Sequence, residues 1–206
     1  MNEDPHYYIE GYSIDDDPYS QTNGVLVNLH GLTTTKDLEL IEAEYSALAI
    51  EEILKREPPS KFDIATLKSI HREIFMDVYP WAGEFRKVDI AKGDTCFEGN
   101  ENIGEKLRLL FEDCQSRNYY LGLTLPEFSQ AVAVFLVELN RIHPFREGNG
   151  RAQRVLLSLL ALNAGFTIAW EGVSDGAMKQ ACIDGLAGNF STMTRLLKVY
   201  LETIAP

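Results

Sequence analysis

Two helical segments, apolar nearly all round and separated by a short polar run, constrain this chain more than anything else in it. From Leu125 to about Arg141 the sequence carries Ala131, Val132, Val134, Phe135, Leu136, Val137 and Leu139. After Gly150 it carries Val155, Leu156, Leu157, Leu159, Leu160 and Leu162. A surface helix has one apolar stripe, so helices that are apolar over most of their circumference belong at the centre of a bundle. Thr124-Leu-Pro-Glu127 is a capping box with proline in the first turn, and Asn163-Ala-Gly165 closes the second helix. The polar run between the two helices, His143 to Arg154, must then emerge at the edge of the core.

The rest of the chain reads as helices around that pair. Thr33-Thr-Thr35 offers N-caps, and Leu38, Ile41, Tyr45 and Leu48 recur as the inward stripe of a helix ending near Arg56, where Pro58-Pro59 stops it. Asp63 can cap a second helix with Ile64, Leu67, Ile70, Ile74 and Phe75 inward, and His71 on that face reads as a hydrogen-bonded packing residue. Between Gly83 and Phe97 the pattern changes: Phe85, Val88 and Ile90 are β-formers, Gly93-Asp94 is a turn signal, and Thr95-Cys96-Phe97 can return as a hairpin. Ile103, Leu107, Leu110, Phe111 and Cys114 restore the helical period, and two short helices follow Ser174 and Ser191. The expected fold is all-α, a single helical domain with one short β-hairpin. Residues 1–32 form an irregular leader packed on a domain of residues 33–206, and Asp15-Asp-Asp17 in that leader reads as a solvated turn.

Composition narrows the function. A chain of 206 residues buries roughly 70% of its unfolded surface on folding, so it needs neither metal nor disulfides to fold. Its three cysteines are odd in number and lack metal-ligand spacing, which fits reduced thiols in a cytoplasmic protein. The net charge of −12 argues against direct nucleic-acid binding, which needs clustered Lys and Arg. There is no apolar run of transmembrane length, and the opening residues lack the basic-then-apolar order of a signal peptide. Yet Arg141, Arg146, Arg151 and Arg154, four of the ten arginines, fall within fourteen residues. A cationic island in an acidic chain suggests a small anionic ligand.

The polar run supplies the parts for such a ligand. Gly148-Asn149-Gly150 stands where the second central helix begins, so its backbone N–H groups can converge on an anion at the helix N-terminus. Arg151 and Arg154, three apart, share a face and can clamp a polyphosphate. Glu147 is a hard oxygen ligand of the kind Mg²⁺ takes when phosphates supply the remaining donors. His143 can accept a proton near neutral pH. Each part alone has a bland reading as a turn, a solvated face or a core histidine. Together they describe group transfer from a nucleotide to a hydroxyl.

The same twelve residues, His143-Pro-Phe-Arg-Glu-Gly-Asn-Gly-Arg-Ala-Gln-Arg154, resemble the signature of Fic domains, His-x-Phe-x-(Asp/Glu)-Gly-Asn-Gly-Arg-x-x-Arg, at every fixed position. Asp17-Pro-Tyr19, Asn28-Leu-His-Gly-Leu32, Val78-Tyr-Pro-Trp-Ala-Gly-Glu-Phe-Arg86 and Val88-Asp-Ile90 are similar to stretches of bacterial Fic proteins of the cell-filamentation and toxin type. The resemblance implies a protein adenylyltransferase that moves AMP from ATP to a Ser, Thr or Tyr hydroxyl of a target protein. It gives His143 the role of general base, Phe145 that of core anchor, and Glu147 that of Mg²⁺ ligand. Gly148, Asn149 and Gly150 become the anion hole, and Arg151 and Arg154 the clamp on the terminal phosphates. The hairpin at about 84–97 becomes the flap that docks the target strand, with Lys87, Val88, Asp89 and Ile90 as its docking residues.

A lysine in place of the second glycine marks the branch that phosphorylates its target, so Gly150 favours AMP transfer over a phosphotransferase of that kind. A catalytically silent module that holds a nucleotide or partner is the other alternative. Many relatives carry an inhibitory helix, (Ser/Thr)-x-x-x-Glu-(Gly/Asn), whose glutamate pairs with the second signature arginine. Only Thr167-Ile-Ala-Trp-Glu171-Gly172 matches, and its first residues read as extended rather than helical. The expectation is therefore restraint in trans by a small antitoxin-like inhibitor. The expected location is the bacterial cytoplasm or, for part of a longer effector, a host or target cell.

Overall fold

The computed structural model describes residues 17–93 and 95–204; His6, Asp15, Asp16 and the turn residue Asp94 lie outside them. In chain order the elements are α1 (Thr35–Leu54), α2 (Ile64–Phe75), β1 (Ala91–Lys92), β2 (Thr95–Cys96), α3 (Ile103–Ser116), α4 (Leu125–Ile142), α5 (Asn149–Asn163), β3 (Phe166–Ile168), α6 (Asp175–Leu186), α7 (Ser191–Tyr200) and β4 (Leu201–Thr203). The two helices expected at the centre are there. α4 packs on α3, α5, α6, α7 and β4, while α5 also meets α1, α2 and β3. Val132, Ala133, Val137 and Leu139 of α4 and Ala152, Leu156, Leu160 and Ala161 of α5 are fully enclosed.

Local chemistry sets the helix starts. The Thr34 and Asp63 side chains accept the Asp37 and Thr66 N–H groups, and Glu127 reaches back to the Thr124 N–H at 2.9 Å. α4 ends on His143 in the left-handed region (φ 48°), and α5 begins after Gly148, also left-handed (φ 78°). The polar run is therefore held by a sharp reversal at each end.

Several expectations need correction. The inward stripe of α1 is Leu38, Glu42, Ser46 and Ile53, while Tyr45 and Leu48 face outward. Two polar side chains occupy core-facing turns of that helix because they meet an arginine of α5, as described below. The hairpin is shorter and later than expected, pairing only Ala91 with Cys96 and Lys92 with Thr95. Val88 and Ile90 turn into the core ahead of it. A second antiparallel pair joins β3 to β4, with Thr167 opposite Glu202. The Thr167–Gly172 string thus runs from a strand into a 3₁₀ turn (Trp170–Gly172), and Glu171 is exposed there.

The described part of the leader is fixed by side-chain amides. Asn28 accepts the Leu32 N–H and donates to the Leu26 and Leu32 carbonyls, while Tyr19, Val25 and Leu26 are buried in the common core. Asp17 is no solvated turn. Its Oδ2 accepts from Arg146 Nη2 at 2.8 Å, and the two side chains are 12% and 5% exposed. Removing one partner of a largely buried pair takes away a close counter-charge from the other, which is strongly destabilising. Asp17→Ala should cost about 3 kcal/mol, read as a fall in the midpoint of chemical unfolding. An unchanged midpoint would show that the pair contributes nothing.

Candidate active site

The end of α4 delivers His143, which is 6% exposed. Its Nδ1 lies 3.3 Å from the Asn140 carbonyl and its ring stacks on Phe97 with centroids 3.8 Å apart. A carbonyl only accepts, so Nδ1 carries the proton and Nε2 the lone pair in the neutral ring. Burial pushes its pKa down to about 3, and the Arg86 and Lys92 cations add to the effect. His143 is thus a neutral imidazole of fixed tautomer at ordinary pH.

The loop beyond it is built on aromatic stacking and one asparagine. Phe145 is buried and stacks on His71 at 3.7 Å between centroids. Asn149 is also buried, and its side chain accepts the Phe145 N–H (2.9 Å) and donates to the Phe145 carbonyl (2.7 Å). That side chain is committed to the loop, so only its backbone N–H can face an anion. His71 accepts the Gly83 N–H at Nδ1 and donates from Nε2 to the Glu147 carbonyl, each at 2.9 Å. Burial holds its pKa down at about 4, so it too stays neutral and joins the turn before the hairpin to the loop.

The two glycines differ. A Cβ on Gly148 would overlap the Phe75 ring, whereas one on Gly150 would meet nothing within 4 Å. Gly148 is required by the fold. Gly150 is exposed at the first turn of α5 and leaves room for something to approach the backbone. The Glu147 carboxylate accepts the Gly148 N–H at 2.7 Å, and its pKa is raised by burial and by the neighbouring Glu42 carboxylate.

The arginine cluster divides its labour. Arg146 turns inward to Asp17, and Arg141 reaches Glu138 and the Leu186 carbonyl. Arg151 pairs with Glu42, donates to Ser46 Oγ at 3.1 Å, and lies over the Phe75 ring at 4.7 Å. Arg154 is 43% exposed, with Asp175 of α6 at 3.9 Å. Arg146 is therefore taken up by the fold, Arg151 stands 3.8 Å from the Glu147 carboxylate, and Arg154 stays part-exposed on α5.

The sequence profile of the Fic/DOC family matches residues 61–161. The Probable protein adenylyltransferase Fic of Escherichia coli K12 is 32% identical over 86% of this chain and 88% of that protein. The chain belongs to the Fic/DOC family. It is also 35% identical, over 91% of its length, to the protein adenylyltransferase VbhT of Bartonella schoenbuchensis, of which it spans 39%. Among solved structures, that of the effector BepC of Bartonella tribocorum with bound AMPPNP superposes with a TM-score of 0.84. It is 26% identical, covering 91% of this chain and 97% of that one.

The segment before the hairpin of this Fic/DOC chain is organised by Arg86, whose side chain is fully buried. Its guanidinium donates to the His143 carbonyl (2.9 Å), the Val88 carbonyl (2.7 Å), the Ile142 carbonyl (3.2 Å) and the Glu98 carbonyl. One side chain thus ties both roots of the hairpin to the last turn of α4, where carbonyls favour a cation. Of the expected docking residues, Val88 and Ile90 are core residues. Asp89 binds the Asn100 N–H and side-chain amide (2.7 and 2.9 Å), and the Lys87 N–H goes to the Tyr19 hydroxyl (3.0 Å). Among the described residues of the hairpin, Lys92, Gly93 and Cys96 are exposed. Glu42 was not among the residues expected at the site, and Arg86 and Phe97 were placed near the hairpin without a role there. A signal for Glu42 existed in its i+4 spacing from Leu38, which places a carboxylate on the buried face of a helix.

Proposed function

We propose that this chain transfers AMP from ATP to a side-chain hydroxyl of a target protein. The observation that carries the proposal is His143, a neutral imidazole with Nδ1 committed to Asn140, at the mouth of a loop whose Gly150 is open to an approaching ligand. The adenylyltransferase names of the relatives and the AMPPNP held by BepC support the same reading.

In this reading His143 Nε2 takes the proton of the target hydroxyl as its oxygen attacks the α-phosphorus of ATP. The bond from that phosphorus to the bridging oxygen breaks, pyrophosphate leaves, and AMP remains on the target. The backbone N–H groups at the start of α5 face the phosphate oxygens, with favourable partial charge from the helix terminus. Arg151 and Arg154 hold the terminal phosphates. Glu147 is a part-exposed carboxylate beside those N–H groups (29% exposed), which suits Mg²⁺ whose other donors are phosphate oxygens. When bound, the ion neutralises phosphate charge and orients the leaving group. We further propose restraint in trans by a small antitoxin-like protein; the string Thr167–Gly172 runs from a strand into a 3₁₀ turn, and its Glu171 is exposed.

Two tests arise here. Because His143 is held near 3, it is already the base at pH 5, so the rate should be flat from this group between roughly pH 5 and 8. An inflection near the ordinary imidazole value would show that the histidine is solvated and contradict the account. Gly150→Ala should leave the thermal midpoint unchanged, since nothing crowds the added methyl. It should also weaken ATP binding at least roughly tenfold, by crowding the phosphates where backbone must approach closely. Unchanged ATP affinity would remove Gly150 from the nucleotide site.

A further inference from the structure

Helix α1 carries a polar patch on its buried face that neither packing nor capping explains. Leu38, Glu42 and Ser46 succeed one another at four-residue intervals on the inward side, and Glu42 is only 9% exposed. A carboxylate in that position is costly unless its oxygens are fully engaged. One oxygen of Glu42 accepts from Arg151 Nη2 and the other from the Tyr79 hydroxyl. That phenol stays protonated, its pKa raised by burial and by the carboxylate beside it, so it remains a donor. Ser46, one turn on, accepts from Arg151 Nη1 at 3.1 Å. The face of the same guanidinium rests on Phe75.

We infer that Glu42 is a positioning residue for the nucleotide: with Ser46 it holds Arg151 from α1 in the orientation in which its remaining N–H groups meet the phosphates. The inference rests on the reading of Arg151 as a phosphate ligand. A guanidinium has five N–H donors in a rigid plane, and the two bonds to α1 use only two of them. Fixing that plane through two contacts and a ring face removes the rotamer freedom a long side chain would otherwise lose on binding the transition state. Both carboxylate oxygens of Glu42 are taken up by Arg151 and Tyr79. Glu42 acts through Arg151, and Tyr79 holds Glu42 in turn.

The charge balance makes the inference distinctive. Glu42 and Glu147 share one guanidinium, Glu147 lying 3.8 Å from Nη2. Removing the Glu42 charge should leave the attraction of Arg151 for ATP intact or stronger, while loosening its aim. The expected signature of Glu42→Gln is thus a rate at saturating ATP about tenfold lower, with no rise in the ATP concentration for half-maximal rate. Glu42 acting as a brake on Arg151 would give the opposite, a faster rate.

The test is a double-mutant cycle. Glu42→Gln, Arg151→Ala and the double variant are compared with the parent, measuring label transferred from α-labelled ATP with Mg²⁺ to the acceptor protein that the parent labels in a bacterial lysate. Thermal melts accompany each variant. The inference predicts that Glu42→Gln slows labelling in the parent and not further in the Arg151→Ala background. Equal slowing in both backgrounds, no slowing, or acceleration would overturn it. If Arg151→Ala itself labels as fast as the parent, the phosphate role of Arg151 has failed, a result distinct from failure of Glu42 alone. Ser46→Ala removes a neutral contact and provides a second cycle should Glu42→Gln not fold; it should slow labelling two- to threefold only when Arg151 is present.

Discussion

His143→Ala should lower AMP transfer by roughly 10²–10⁴-fold, the usual contribution of a positioned general base, while the protein keeps its fold and its affinity for ATP. Alanine retains the backbone carbonyl that accepts from Arg86, so the hairpin roots keep their anchor. What is lost is the one nitrogen able to take the proton of the attacking hydroxyl, together with the stacking on Phe97. The measurement is the rate of labelling from α-labelled ATP beside a direct binding titration with the same nucleotide. A variant that retains more than a tenth of the rate would mean that the proton leaves by another path.

The second large effect is on stability. Gly148→Ala places a methyl inside the ring of Phe75, which is itself fully buried and packed on His71 at 4.8 Å between centroids. The ring therefore has nowhere to move. Gly148 also holds φ at 78°, a conformation that costs an L-residue roughly 1–2 kcal/mol, and overpacking adds about 1–3 kcal/mol more. A total near 3 kcal/mol would lower the thermal midpoint by roughly 6–12 °C in a chain of this size. A shift below about 2 °C would show that the loop relaxes freely, and the contrast with Gly150 would collapse. The pair of glycines thus separates the two demands on this loop: Gly148 lets it close, and Gly150 lets a ligand approach.

The central helices were legible because their apolar residues run almost round the cylinder and because Thr124, Glu127 and Gly165 mark the ends. The loop was legible too, since His143, Glu147 and Gly150 carry chemistry that packing alone would not ask for. α1 was misread for a reason that is itself functional. Its buried face holds Glu42 and Ser46, while Leu40 and Leu48 are 68% and 60% exposed, so an apolar count points to the wrong side. The hairpin was misplaced because Val88 and Ile90 look like a strand in isolation. Their alternation instead buries two side chains while Arg86 takes up the carbonyl of Val88. The pairing of β3 with β4 was hidden because three-residue strands carry almost no periodicity and their partners lie far apart in sequence. Asp17 looked solvated because its partner, Arg146, belongs to the signature loop and is met only through the fold.

The central claim is that the α-phosphoryl group and its nucleoside move to protein through His143. Parallel incubations of the parent chain and His143→Ala with a bacterial lysate, Mg²⁺ and ATP labelled at either the α- or the γ-position test it most directly. The account predicts protein-bound label from the α-position only, and none with His143→Ala. Label from the γ-position alone, or α-label that persists in His143→Ala, would contradict it.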